Sequence, residues 1–277
     1  MTSFVEKLDA ESLKYFNEVA SKTFQQQAVA FLNAYWPEVH TQAEFIFSVA
    51  WEQIKAADMH AKGVSLLHLY HEGHELDFDI GLYFYEHLCR YLEDSKNSRW
   101  AGSEFAMSQP VMMTAIKRKQ ELRERVDVNF DGRIGMLEYL LYQYGHVANP
   151  ADFCQRSMGQ DEHPEVRAAR LALEEVTKKI QEYEAEKHRL TEEAKAPGVK
   201  GLKATNELAQ LESSPLAERL NKALITAEAA VRIAVRKFGG SAGGGGSDGV
   251  RVAPTEGALW WMSRDLEEKQ KRYGKKQ

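Results

Sequence analysis

The chain has 277 residues, 43% of them hydrophobic, with 36 Lys and Arg against 41 Asp and Glu for a formal net charge of -5. That length allows a sizeable core in one or two domains, and the absence of a global basic field argues against nucleic acid, so any surface for an acidic partner must be local. Two cysteines, Cys89 and Cys154, are too few for a disulfide framework, and no segment approaches the ~20 apolar residues that span a bilayer. A reduced, cytosolic protein without membrane contact is expected. There is no phosphate loop, His-Glu-x-x-His pair or nucleophile elbow, so the chain does not read as an enzyme.

Residues 1–62 are expected to form an N-terminal helical region. Leu13, Phe16, Val19 and Ala20, then Phe45, Val49, Ile54 and Ala57, recur at helical spacing, and so many buried-type residues imply a packed core. Pro37 breaks the pattern and should open a new helix after Trp36. Residues 63–150 read as a pair of calcium-type helix-loop-helix units, the second complete and the first degenerate. The first can be placed in two registers. A loop starting at His71 has Leu66, Leu67 and Tyr70 on the helix before it and Phe78 at position 8, but His71 and Leu82 replace the ligands at 1 and 12. A loop starting at Glu75 has Glu75, Asp77, Asp79 and Glu86 at 1, 3, 5 and 12, but Ile80 replaces the turn glycine. A structural half-pair is the favoured reading. After a polar loop over 94–108, a helix is expected to resume at Pro110, and its basic residues from Lys117 to Arg125 read as a solvated face.

The second loop, Asp127 to Glu138, matches D-x-[DN]-x-[DN]-G-x5-E in full. A twelve-residue calcium loop requires side-chain oxygens at positions 1, 3, 5 and 12, a carbonyl at 7 and a glycine at 6. Asp127, Asn129, Asp131 and Glu138 supply the first set, Arg133 the carbonyl and Gly132 the turn. Gly135 leaves position 9 to a water, and Ile134 at position 8 would pair with the partner loop. Helical sequence flanks it, over Met112 to Val126 and Leu137 to Tyr144. The cofactor implied is Ca2+. A plain surface turn would not require Glu138 at position 12.

From Pro164 to Ala194 the composition shifts to Glu, Lys, Arg and Ala. Val166, Ala169, Leu173, Val176, Ile180, Tyr183, Lys187, Leu190 and Ala194 fall at alternating threes and fours, as in a coiled-coil seam. Leu220, Leu224, Ala227, Val231, Ala234 and Phe238 repeat the pattern on a second helix after Ser214-Pro215. The simplest arrangement over 151–238 is an antiparallel hairpin rod, with a dimeric coiled coil as the competing reading. Residues 239–256 read as a Gly-rich linker, and 257–277 as a helix with Trp260 and Trp261 and a basic tail, the tryptophans docking on the chain's own helices or on a partner. The fold class is thus all-α: a helical core with the loop pair, then a long antiparallel hairpin.

Several segments resemble the calcium-regulated 34 kDa actin-bundling protein family: 126–134 around the loop, Leu137-Glu-Tyr-Leu-Leu-Tyr-Gln-Tyr144, Asn149-Pro-Ala-Asp-Phe-Cys154, Ala168 to Val176, Pro197-Gly-Val-Lys-Gly-Leu202 and Trp260 to Lys269. The resemblance runs from about Phe24 to the basic tail and implies F-actin binding and cross-linking in the cytoskeleton, lowered by calcium. It carries the calcium ligands onto Asp127, Asn129, Asp131, Arg133 and Glu138. It departs at His71, where the related loop starts with an acidic residue. Basic surfaces suited to acidic F-actin lie at Lys117 to Arg125, on the hairpin between Lys178 and Arg236, and in the tail from Lys269, with the hairpin the main candidate. A monomer with several actin contacts is favoured over a dimer. The alternative is a calcium-sensor adaptor that takes a non-actin partner helix.

Overall fold

The computed structural model describes residues 8–159, 162–238 and 255–274. The expected Gly-rich linker falls almost wholly outside them, over 239–254. The described chain is nearly all helix, as expected of the all-α class, with one two-stranded bridge. Two compact units divide it. The first is made of residues up to Gly63, His71–Asp161 and Gly249–Ala258; the second is made of Val64–Tyr70, Glu162–Asp248 and Leu259 onward.

In the first unit, α1 (Ala10–Ala20) is capped by the Asp9 carboxylate, and α2 (Phe24–Val39) by a capping box between Thr23 and Gln26. The break expected near Pro37 is a kink at Tyr35 (φ -123°, ψ 21°), after which the helix continues with Pro37 inside it. α3 (Ala43–Phe45) passes through a π-helical stretch into α4 (Glu52–Ala61). α5 (Phe78–Glu93) is followed by short 3-10 turns, α6 (Ala115–Glu121) runs into a π-helical stretch to Val126, and α7 (Met136–Gln143) and α8 (Pro150–Ser157) complete the unit. Phe16, Phe24, Phe31, Tyr35, Phe45, Phe84, Tyr139, Tyr144 and Phe153 form its core, all 0 or 1% exposed. The first unit thus takes in most of the expected segments 1–62 and 63–150 together with α8, while Val64–Tyr70 falls in the second.

Strand β1 (Leu76–Asp77) pairs antiparallel with β2 (Arg133–Ile134), Leu76 opposite Ile134. This pairing corrects both expected registers of the first loop. With Ile134 at position 8 of its loop, the partner's eighth residue is Leu76, so that loop runs from Leu69 to Ile80 and has Leu69, His71, Gly73 and Ile80 at positions 1, 3, 5 and 12. None is a carboxylate. The acidic residues nearby serve local structure: Asp77 caps α5 at the Ile80 amide, and Glu72 accepts from the Gln25 amide and the Trp51 indole. Leu66, Leu67 and Tyr70 lie on no α-helix, only around a 3-10 turn at Leu67–Leu69.

Helix does not resume at Pro110. It starts at Ala115 under the Thr114 cap. The basic helix is also not wholly a solvated face. Arg118 is 4% exposed, 2.5 Å from Glu121, with its guanidinium 4.1 Å over the Tyr85 ring and a further hydrogen bond to the Val111 carbonyl.

In the second unit, α9 (Pro164–Ala194), α10 (Val199–Ala209) and α11 (Pro215–Phe238) form the antiparallel hairpin. Its direction is fixed at both ends. Lys237 in the last turn of α11 pairs with Glu165 in the first turn of α9, and the His163 and Phe238 rings are 4.0 Å apart. At the other end Leu190 packs with Ala204 and Leu211. The seam is buried at Val166, Ala169, Leu173, Val176 and Leu190, and at Leu220, Leu224, Ala227, Val231 and Ala234. Lys187 departs from it and is exposed. The final helix, α12 (Glu256–Tyr273), docks on the chain itself. In the first unit a Cβ on Gly257 would lie 2.6 Å from the Leu32 carbonyl carbon, and the Ala258 amide donates to Asn33 Oδ1 at 2.8 Å. In the second, Gln270 bonds Glu228 and Tyr273 meets Tyr183 edge-on.

Removing one partner of a buried ion pair costs about 3–5 kcal/mol when the other charge is stranded, and Glu121 would be left with the longer ion pair to Arg125 at 3.4 Å. Arg118→Met should therefore lower unfolding stability by about that amount, whereas Lys117→Met, one residue earlier and exposed, should change it by less than about 0.5 kcal/mol. Urea denaturation of both variants checks the contrast.

Candidate functional site: the loop from Asp127 to Glu138

The loop sits between the π-helical end of the α6 segment and the start of α7, so its first and last ligand positions are each held by a helix terminus. Gly132 adopts φ +78°, the left-handed conformation the turn requires, and Phe130 does so at φ +60°. Together they wind the chain around Asp127, whose Oδ2 accepts the Gly132 amide at 3.0 Å. Asp131 Oδ1 accepts the Arg133 amide at 2.7 Å, and Asn129 Nδ2 donates to Asp131 Oδ2 at 2.7 Å. Local hydrogen bonds thus order the expected ligand residues, and Asn129 and Asp131 meet directly.

Glu138 behaves differently. It is 3% exposed, and its two oxygens clasp the loop's ends, Oε1 on the Val128 amide at 2.9 Å and Oε2 on the Gly135 amide at 2.8 Å. Burial pushes its carboxyl up to about 8, against these two amides, which favour the ionised form. Burial also raises the Asp127 carboxyl. Asp127 is 3% exposed, and its Oδ1 is buried without accepting any hydrogen bond. Buried acceptors are normally satisfied, so this atom calls for a partner.

Among the described residues no three His, Cys, Asp or Glu side chains stand close enough together to hold a metal ion. In the structure both Glu138 oxygens accept loop amides. The donor set still fits calcium: hard oxygens only, an orphaned carboxylate oxygen at position 1, a second desolvated carboxylate at position 12, and the left-handed glycine at 6. Two side chains that sequence reasoning passed over also touch the loop. Asn17 on α1 accepts from Asn129 Nδ2 at 2.9 Å, and Gln27 on α2 accepts the Leu137 amide at 2.9 Å. Neither carries a motif that would have marked it.

An oxygen-only, calcium-type loop in the first unit and an antiparallel helical hairpin in the second define an all-α protein with a candidate metal loop, and comparison with known proteins makes the class specific. Residues 150–244 match the family model described as F actin bundling C terminal. The chain is 64% identical over 272 residues to the calcium-regulated actin-bundling protein of Dictyostelium discoideum, covering 98% of this chain and 92% of that relative. It also superposes on the crystal structure of the 34 kDa F-actin bundling protein from the same organism with a TM-score of 0.91 at 63% identity, over 98% of this chain and 100% of that one. The chain belongs to the family of calcium-regulated actin-bundling proteins.

The raised Glu138 carboxyl has a definite sign. The folded state keeps a proton that the unfolded carboxyl releases near its ordinary 4.5, so the contribution is full below that value and is lost as pH rises toward about 8. In calcium-free buffer the melting temperature should fall across pH 5 to 8, and Glu138→Gln should flatten that slope; an equal slope in both proteins would refute the assignment.

Proposed function

We propose that this protein cross-links F-actin into bundles in the cytoplasm, and that calcium held by Asp127, Asn129, Asp131, the Arg133 carbonyl and Glu138 lowers that activity. The observation that carries the calcium half is the pair of desolvated carboxylates, Asp127 and Glu138, at positions 1 and 12 of a loop whose remaining donors are all oxygens. A divalent cation would supply the charge that burial has withdrawn from water. The names of the relatives support the actin half, as does the position of the family match over the hairpin.

The hairpin has two kinds of surface. On α9, Arg170, Lys179 and Arg189 are each shared between two glutamates, which leaves a neutralised, solvated face. On α11 the stripe opposite the seam has Lys222, Ile225, Arg232, Ile233 and Arg236, with Ile225 59% and Ile233 52% exposed. Exposed aliphatics interleaved with cations suit a partner that is acidic and offers apolar ground, as F-actin does. We assign the main filament contact to this stripe. Further contacts elsewhere on one chain would let a monomer bridge two filaments.

Calcium can change bundling only through a difference in the affinity of the two loop states for actin, and the coupling is reciprocal. Couplings of about 1–3 kcal/mol correspond to about 5–150-fold in affinity. One tight calcium per chain is expected by calorimetry, and none in Glu138→Gln. Wild type should pellet F-actin bundles at low speed less well at high calcium, whereas Glu138→Gln should bundle equally at both; equal wild-type bundling at both levels would sink the switch. Separately, Arg232→Glu with Arg236→Glu should weaken filament co-sedimentation by on the order of tenfold, about 1.4 kcal/mol, without changing calcium binding.

A further inference from the structure

We infer that Gln27 is a positioning residue for the calcium loop and that it ties occupancy of the loop to the corner between α1 and α2. The inference rests on the reading that the loop binds calcium. Gln27 is fully buried, at 0% exposed. Its Oε1 accepts the Leu137 amide at 2.9 Å, one residue before the twelfth loop position. Its Nε2 faces three carbonyls: Ala20 at 2.8 Å, Lys22 at 2.7 Å and His74 at 2.7 Å. This network also fixes the orientation of the amide, because only an oxygen can accept the Leu137 N–H and only a nitrogen can serve the three carbonyls.

Those four partners come from three places. Ala20 and Lys22 form the α1–α2 corner, His74 lies in the ligand-poor partner loop, and Leu137 opens α7. One side chain therefore joins the corner, the partner loop and the exit of the calcium loop. Gly135, at position 9, is shaped by the same contact: a Cβ there would lie 2.6 Å from Gln27 Oε1 and 3.3 Å from the His74 carbonyl. The corner grips the loop a second time where Asn17 accepts from Asn129 at position 3.

Calcium held at Glu138 and Asn129 would bear on groups next to those that Gln27 and Asn17 bond: Gln27 holds the Leu137 amide beside Glu138, and Asn17 holds the Asn129 side-chain amide. Gln27 can therefore affect the loop in two ways, by fixing where α7 starts and by passing the change to the corner. Outer contacts that orient ligands typically contribute 10–100-fold in metal affinity.

The test combines calorimetry and amide hydrogen exchange on the full chain, using calcium chloride as the probe. Two variants leave all five ligand positions intact: Gln27→Met removes the bonds, and Gly135→Ala intrudes on them. Wild type should bind calcium and show a calcium-dependent change in exchange over residues 17–27 as well as over the loop. Both variants should bind on the order of tenfold more weakly and lose the response over 17–27. Wild-type affinity together with a wild-type response over 17–27 in either folded variant would overturn the inference. If Gln27→Met fails to fold, Gly135→Ala decides alone. A wild type that takes up no calcium overturns the binding reading itself, and an intact calcium isotherm in the wild type separates the two failures.

Discussion

The first unit is organised around two carboxylates withdrawn from water at opposite ends of one twelve-residue loop. Asp127 and Glu138 are both almost fully buried, and burying an ionised carboxylate without a counter-charge is among the costliest things a fold can do. The structure meets that cost in part, with backbone amides: Glu138 holds the Val128 and Gly135 N–H groups, and Asp127 holds the Gly132 N–H. It leaves Asp127 Oδ1 unsatisfied and keeps the Glu138 carboxyl far above its ordinary range. A loop in this condition is poised, since a divalent cation would relieve the same desolvation that the amides relieve only partly.

Much of the surrounding architecture can be traced to holding that loop in place. The β-bridge from Leu76 to Ile134 fixes it against the partner loop, and the buried Gln27 amide fixes the entry to α7. The core aromatics Phe84 and Tyr139 meet edge-on at 5.0 Å behind it, so the helices that flank the two loops pack through rigid rings. The hairpin unit follows a different logic. Small residues on α11, Ala227 and Ala234, are fully buried at 0% exposure, so the two long helices approach closely along a seam that needs no polar partner. On the side of α11 away from that seam, Ile225 and Ile233 stand exposed.

The elements with a simple period were legible in the sequence, and so was the one motif with a strict ligand pattern. The seam residues of α9 and α11 follow from threes and fours because a helix buries one stripe, and the ends of the rod follow from Pro164 and Ala196-Pro197-Gly198. The loop was legible because calcium needs oxygens at fixed positions. The partner loop was not. Its register is set by which residue faces Ile134, a cross-strand fact, while Glu75, Asp77 and Asp79 supply a plausible ligand string for other reasons. Arg118 could not be told from Lys117 and Lys119, because its burial depends on Tyr85 and Glu121 arriving from around it. Gln27 is invisible for the same reason: its four hydrogen bonds reach residues between five and 110 positions away.

The corrected register also bears on how a calcium signal would be read. A pair of ligand-competent loops can bind cooperatively, each making the other's occupied state easier to reach, and the Hill coefficient can then approach the number of sites. Here the loop opposite Ile134 places Leu69, His71, Gly73 and Ile80 where ligands would stand, while Asp77 caps a helix, Glu72 accepts the Gln25 and Trp51 N–H groups, and Glu75 and Asp79 pair with Arg133 and Lys119. On the proposed reading the partner loop contributes packing and no calcium ligands. On that reading a single ion would have no second binding event to sharpen its response, so occupancy would rise gradually with calcium. A cross-linker governed in this way would loosen its bundles by degrees as calcium rises, with the midpoint set by how firmly Asp127, Glu138 and the residues that position them hold the loop.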